Sequence, residues 1–100
     1  LGNNYINIKY KKMKQIQPIQ IWVSGQEQTG NWINAYIIND NLKDSATFYW
    51  AIFTAETNGT QLSAGNLTIV EPDYSVWSST ADINLAAYQW ICDQLGLTLI

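Results

Sequence analysis

Glu71 and Asp73 lie beside two large aromatic rings, Tyr74 and Trp77, and this is the one cluster in the 100-residue chain whose residue types suggest a reaction. Two carboxyl groups flanking a glycosidic bond, with rings as a sugar platform, are the apparatus of a glycosidase. Here the spacing argues against it, because residues two apart on an extended segment point the same way and would lie on one side of any substrate. The chain has no histidine and a single cysteine, Cys92, so zinc sites of the Cys/His kind and Ser-His-Asp or Cys-His nucleophilic systems have no residues to build them. Gly59 and Gly65 are not followed by the helix and lysine of a phosphate loop, and Asp40 and Asp44 do not have the spacing of a calcium loop. The expectation is a non-enzymatic protein with no catalytic residue, no metal and no cofactor.

Charge narrows the partners. Eight acidic residues stand against five lysines, for a net charge of -3, and Lys9, Lys11, Lys12 and Lys14 supply four of those five. An acidic body without arginine lacks what phosphate neutralisation and guanine reading require, so no nucleic-acid partner is expected. The lysine cluster reads as a solvated tail in preference to an arm onto a polyanion. No run of eighteen apolar residues occurs, and the N-terminal charges are not followed by the apolar stretch of a signal peptide, so no membrane partner is expected. Met13 opens a segment that reads like a translation start. Residues 1–12 then read as a non-native or disordered leader, and residues 13–100 as a single β-rich domain with a C-terminal helix. The sequons at Asn58 and Asn66 are attributed to chance, and Cys92 is read as a buried thiol.

The elements follow from periodicity. Gln15 to Val23 alternates as a half-buried strand, with Pro18 suiting an edge or a strand start. Gly25 to Gly30 is polar and turn-rich, and Asn31 to Asn39 alternates again, with Ile33, Ala35 and Ile37 opposite Trp32, Tyr36 and Ile38. Asn39 to Ser45 is a loop by composition. Ala46 to Thr54 is the most apolar stretch and is expected at the centre of the sheet, buried on both faces. Asn58-Gly59 predicts a type I′ hairpin, and the returning strand Gln61 to Val70 contains Ala64-Gly65-Asn66, a predicted bulge or second turn.

Ala81 to Leu95 predicts an amphipathic helix whose apolar arc covers about 200° of the wheel, where about 100° is usual for a surface helix. Ser79 with Asp82 resembles a capping box, and Gly96 fits the left-handed position past the helix end, with Leu97 folding back onto Cys92. The fold class is therefore α+β: an antiparallel β-sheet or small β-sandwich of four or more strands, with one C-terminal amphipathic helix. Trp50 and Trp90 fall on apolar arcs and are read as core, and Trp22, Trp32 and Tyr36 as sharing a second sheet face. Tyr74 and Trp77, in a loop, are expected to plug the helix end.

The segment Asp73-Tyr74-Ser75-Val76-Trp77, a helix containing Tyr88-Gln89-Trp90, and the ending Leu95-Gly96-Leu97-Thr98-Leu99-Ile100 resemble a family of small proteins from tailed bacteriophages. That resemblance implies a virion structural role in head fibres, capsid decoration or tail components, with the protein made in the host bacterial cytoplasm and residing in the virion. Ser78-Ser79-Thr80 replaces the more acidic run expected after the tryptophan. The wide helix arc and two-faced central strand point the same way, toward a subunit that buries its excess apolar surface against other copies. The expected partners are the chain itself, as trimer or dimer, and other virion proteins. The candidate interface residues are Trp32, Tyr36, Tyr74, Trp77, Leu85, Tyr88, Trp90 and Ile91. A carbohydrate-binding module stacking Trp22, Trp32, Tyr36 or Trp77 on a surface glycan is the alternative, and a small toxin or inhibitor the third reading.

Overall fold

The computed structural model describes residues 13–100; the leader and its lysines at 9, 11 and 12 lie outside the described residues. Four strands, β1 (Lys14–Val23), β2 (Gln26–Asp40), β3 (Ser45–Phe53) and β4 (Gln61–Val70), form one antiparallel sheet in the order β1-β2-β3-β4. Every neighbour in that order is also a neighbour in sequence, the simplest meander. Two short helices follow, α1 (Asp73–Ser78) and α2 (Ile83–Leu95), where the sequence suggests one. The fold is α+β, a single four-stranded sheet with its helices on one face.

Alternation puts Ala46, Phe48 and Ile52 of β3 on the helix-bearing face, joined there by Ile16, Ile33 and Ile69 from the other strands. Tyr74 and Trp77 from α1, and Ala87, Tyr88, Ile91 and Cys92 from α2, close the core from above. Phe48 is fully buried and holds the centre, with the Trp77 ring edge-on at 5.2 Å and Trp90 at 5.8 Å. The expectation of a central β3 holds, since it pairs with both β2 and β4.

The turns differ from expectation in instructive ways. The predicted turn region from Gly25 to Gly30 shrinks to Ser24-Gly25, whose φ values of 51° and 81° suit the two-residue hairpin that matches strand twist. Glu27, Gln28 and Thr29 look like loop residues but pair with Trp22, Ile21 and Gln20 as the first part of a 15-residue β2. Gly30 within it is a close approach: a Cβ there would come within 2.7 Å of the Ile52 side chain.

Asn58-Gly59 does not make the predicted type I′ turn. Asn58 alone of the pair has positive φ, at 58°, and the connection runs over residues 54–60. It is closed by Thr54, whose N–H donates to the Thr60 carbonyl at 3.0 Å and whose hydroxyl accepts from the Thr60 N–H at 2.9 Å. Gly59 packs so tightly on the Ala55 backbone that a side chain has no room.

Nor is β4 broken at Ala64-Gly65-Asn66. These residues pair in register with Ala51, Trp50 and Tyr49, and the irregularity falls instead at Leu62, the extra residue of β4 between Ser63, paired with Ile52, and Gln61, paired with Phe53. Gly65 is there because the Trp50 ring lies across it, 2.9 Å from where a Cβ would stand. Trp50 thus packs beside the core, as expected, but its buried indole N–H has no partner, a cost of about 1–3 kcal/mol that ring burial must offset.

The helix ends are set locally. Asp82 is the N-cap of α2, accepting the Leu85 N–H at 3.0 Å, so the helix begins two residues after the expected Ala81 and Ser79 belongs to the end of α1. At the other end Gly96 adopts φ 73°, the Leu97 N–H donates to the Cys92 carbonyl at 2.8 Å and the Gly96 N–H to Asp93 at 3.3 Å, the predicted left-handed cap. The tail then turns back along β1, where Leu99 bridges to Ile16.

Candidate binding surfaces

The two carboxylates that looked most like chemistry are engaged in packing. Glu71 accepts the N–H and hydroxyl of Ser75 and so caps α1, while Asp73 accepts the Trp90 indole N–H at 3.0 Å and ties α1 to α2. Tyr74 donates its hydroxyl to Asp40 at 2.8 Å, and this bond, with burial and nearby carboxylates, raises the phenol above its ordinary value. Trp77 donates to the Ile83 carbonyl at 2.9 Å, plugging the start of α2. Among the described residues no cluster of three or more Cys, His, Asp or Glu side chains converges on a metal-sized site. No helix of the described residues is long and apolar enough to cross a membrane.

The eight candidate interface residues divide sharply. Tyr74, Trp77, Tyr88 and Ile91 are 6 % exposed or less and serve the chain's own core, so as free contact surface those four are corrected to packing residues. Trp90 is half-buried against Phe48. Trp32 is half-buried, and Tyr36 and Leu85 are exposed. The wide arc on α2 splits accordingly. The sheet takes Ala87, Tyr88, Ile91 and Cys92, and Ile83 and Leu85 stay at the surface at 46 % and 38 % exposure.

Two surfaces remain. The first is the sheet face opposite the helices. Directly paired residues share a face, so the pairs Trp32 with Phe53, Asn34 with Ala51, Tyr36 with Tyr49, and Tyr49 with Asn66 all lie on it. The Tyr36 and Tyr49 rings pack at 5.2 Å, and Thr47 and Thr68 share a hydroxyl hydrogen bond at 3.0 Å. These strand centres carry no charge, and among the described residues no other element covers them. The sequence indicated Trp32 and Tyr36 here; Tyr49 and Phe53 were legible only as the second face of β3, and their role as an open surface depended on both helices choosing the other side.

The second surface is a groove of about 510 Å³ between β2 and α2, bounded by Asn34 to Ile37, Phe48, Ile83, Asn84, Ala87, Tyr88 and Ile91. The Tyr88 hydroxyl lies in it and accepts the Ala35 N–H at 3.0 Å, and the Lys14 ammonium sits 5.3 Å over the Tyr88 ring. Burial raises the Tyr88 phenol above its ordinary value, and the bond to Ala35 opposes that shift. No sequence pattern pointed to this groove.

Cys92 is buried, and desolvation pushes its thiol up to about 11, with Asp93 adding to the shift. The native state therefore holds the proton more tightly than the unfolded chain. That stabilisation is complete below pH 9 and is lost as pH rises through about 11. The expected result is that an aromatic disulfide reagent at pH 8 labels Cys92 only in denaturant, and that the Cys92→Ala variant loses less stability between pH 9 and 11 than the parent; labelling of the folded protein within seconds would contradict the burial.

No protein-family model, curated protein or solved structure matches this chain.

Proposed function

We propose that this protein is a non-enzymatic assembly subunit that self-associates through the open face of its sheet, and that it is a structural component of a tailed-phage virion, working with copies of itself and with other virion proteins. The observation that carries the proposal is the uncharged aromatic face of Trp32, Tyr36, Tyr49 and Phe53, set on a chain of net charge -3. A neutral face does not select a partner of opposite charge, and it suits its own copy. Four strands at the usual spacing and about nine residues of usual rise present roughly 550 Å² per copy, so a pair buries about 1,100 Å², enough for a specific contact. Two such faces stacked about 10 Å apart make the β-sandwich that a single chain lacks. The virion assignment rests on the resemblance of the last thirty residues. The short arc of Ile83 and Leu85 left exposed on α2 supplies a further apolar contact for a trimer or for a neighbouring virion protein.

Light scattering across a dilution series tests this. The parent is expected to give a dimer or trimer mass at micromolar concentration, and Tyr49→Asp, which places a carboxylate at the centre of the face, to weaken association at least about a hundredfold, about 2.7 kcal/mol, while remaining folded by circular dichroism. A parent that stays monomeric at every concentration would rule the proposal out.

One observation favours a second reading. Asn34, Asn66, Thr47 and Thr68 stand beside Trp32, Tyr36 and Tyr49 on one face, and rings next to neutral amides and hydroxyls are what a surface glycan needs for stacking and hydrogen bonding. A monomeric parent whose binding to a glycan array is lost in Trp32→Ala would establish that reading instead.

A further inference from the structure

Beyond the sheet face, the edge of β2 offers a different kind of contact. Lys14 opposite Ile33 is the last pair between β1 and β2, yet β2 runs on to Asp40, so residues 34–40 have no strand partner on that side among the described residues. The Ala35 N–H points out of this edge, because it reaches the Tyr88 hydroxyl and not a strand. Alternation directs the Ile37 N–H and C=O the same way. The side chains along the edge are apolar and uncovered: Tyr36 is 53 % exposed, Ile37 43 % and Ile38 51 %, and Ile83 across the groove is 46 % exposed. An edge without a strand partner that bears three consecutive apolar residues is a template for another strand. Residues 34–38 themselves include no lysine and no proline, and the nearest charge is the Lys14 ammonium over the Tyr88 ring. Ile38 marks an irregularity in the β2–β3 ladder, which ends the regular edge beyond Ile37.

We infer that residues 34–38 of β2 pair antiparallel with the same residues of a second copy about a twofold axis. Centred on Tyr36, this register sets Ala35 of each copy opposite Ile37 of the other. Each Ala35–Ile37 pair exchanges two N–H···O=C bonds, four in all, so the edge is complementary to itself as an isologous contact requires. The same contact buries Tyr36, Ile37, Ile38 and Ile83, which are exposed around the groove in the monomer. In the free subunit the Tyr88 hydroxyl holds the place of the incoming carbonyl by accepting the Ala35 N–H. The occupant is a second copy because the edge is complementary to itself in this register and residues 34–38 carry no charged side chain; an acidic peptide would find only the single Lys14 ammonium over the Tyr88 ring. The inference shares with the proposed function the premise of self-association and the residue Tyr36, but it depends on the backbone edge of β2 where the other depends on the sheet face around Tyr49, so edge variants and Tyr49→Asp make the two fail separately.

Disulfide trapping in the full chain tests it. Across the twofold axis the two Tyr36 residues form a non-hydrogen-bonded pair with Cα atoms about 4.5 Å apart, within disulfide range. The Tyr36→Cys variant, with Cys92 left in place because it is buried, is expected to give a covalent dimer within minutes of mild oxidation. Adding Ile37→Pro removes the outward N–H without touching the β3 ladder and should slow cross-linking at least tenfold; Ile38→Lys, at the irregular position, should do the same if proline perturbs the fold. Adding Tyr49→Asp, which disables the sheet face, should leave cross-linking intact. Absence of the covalent dimer, or cross-linking that ignores both edge variants, overturns the inference. So does slow hydrogen exchange at the Ile37 amide in a monomeric full chain, which would show that the chain's own residues occupy the edge.

Discussion

Trp77→Ala is expected to lower the unfolding free energy by about 3–5 kcal/mol, the range for removing a large aromatic from a packed core. The reason is that one side chain serves three contacts at once. Trp77 is 4 % exposed, meets Phe48 edge-on at 5.2 Å and Tyr74 at 5.6 Å, and donates its indole N–H to the Ile83 carbonyl at 2.9 Å. That last bond fastens a six-residue α1, too short to be stable alone, to the first turn of α2. Removing the ring leaves a cavity over Phe48 and frees the Ile83 carbonyl. In a domain of this size, with about 5–15 kcal/mol in total, the variant should show a urea midpoint reduced by roughly half or a broad, weakly cooperative transition. Trp77→Phe retains most of the burial and loses the donor, so a loss of about 1–2 kcal/mol is expected for it. If Trp77→Ala instead kept its midpoint and lost only self-association, Trp77 would be a contact residue and its place in the core would be wrong.

Trp77 also shows where sequence is informative. Its spacing from Tyr74 and its place before the main helix were enough to expect a plug, because an aromatic pair just ahead of an apolar arc has an obvious surface to cover. The same chemistry did not disclose that residues 73–78 are themselves helical. With Pro72 before it and Ser78-Ser79-Thr80 running through its end, the segment has loop composition, and what makes it a helix is the Glu71 side chain accepting the Ser75 N–H together with the anchoring of both rings. Strand periodicity was legible except over Gln26 to Gly30, whose polar residues read as a turn but pair as the start of β2, and the order of the sheet follows from short connections. Turn chemistry was less so. Asn58-Gly59 is a strong hairpin dipeptide, yet the Thr54 side chain offers its own closure and the strands join over a wider loop. Ser24-Gly25 is a weaker dipeptide and makes the tight turn.

The candidate surfaces were legible in part for a geometric reason. A helical wheel gives the width of an apolar arc but not how much of it the sheet reaches, and here a sheet of long strands takes Tyr88 and Ile91 and leaves Ile83 and Leu85. Likewise alternation in β3 reveals two apolar faces, but only the choice of side by both helices decides which becomes the open one. An edge that outruns its neighbour, as β2 outruns β1 among the described residues, leaves no mark in composition at all.

Deleting Leu97–Ile100 is expected to cost about 4–5 kcal/mol, an effect as large as that of Trp77→Ala and spread over four residues at the very end of the chain. Leu97 and Leu99 are partly buried against the core, and half-burying two leucines is worth about 2–3 kcal/mol together. The backbone adds three bonds. The Leu97 N–H closes the end of α2 on the Cys92 carbonyl at 2.8 Å, the Gln17 N–H donates to the Thr98 carbonyl at 2.8 Å, and the Ile100 N–H donates to Gln15 at 3.0 Å. At a net value near 1 kcal/mol each, and less for the frayed last pair, they contribute about 2 kcal/mol more. The tail is therefore a short fifth strand in all but length: through the Ile16 to Leu99 bridge it covers the outer edge of β1, and through Gly96 it is locked to the helix that packs on the same strand. Loss of the tail would uncover Ile16, which is fully buried, and leave the outer side of β1 as a further open edge. Chemical denaturation of the chain ending at Gly96 should show the drop in stability, and hydrogen exchange should show it concentrated at Gln15 to Gln17 and the last turn of α2. A uniform loss of protection over all four strands with no excess at β1 would mean that the tail stabilises the domain as a whole and does not guard that edge.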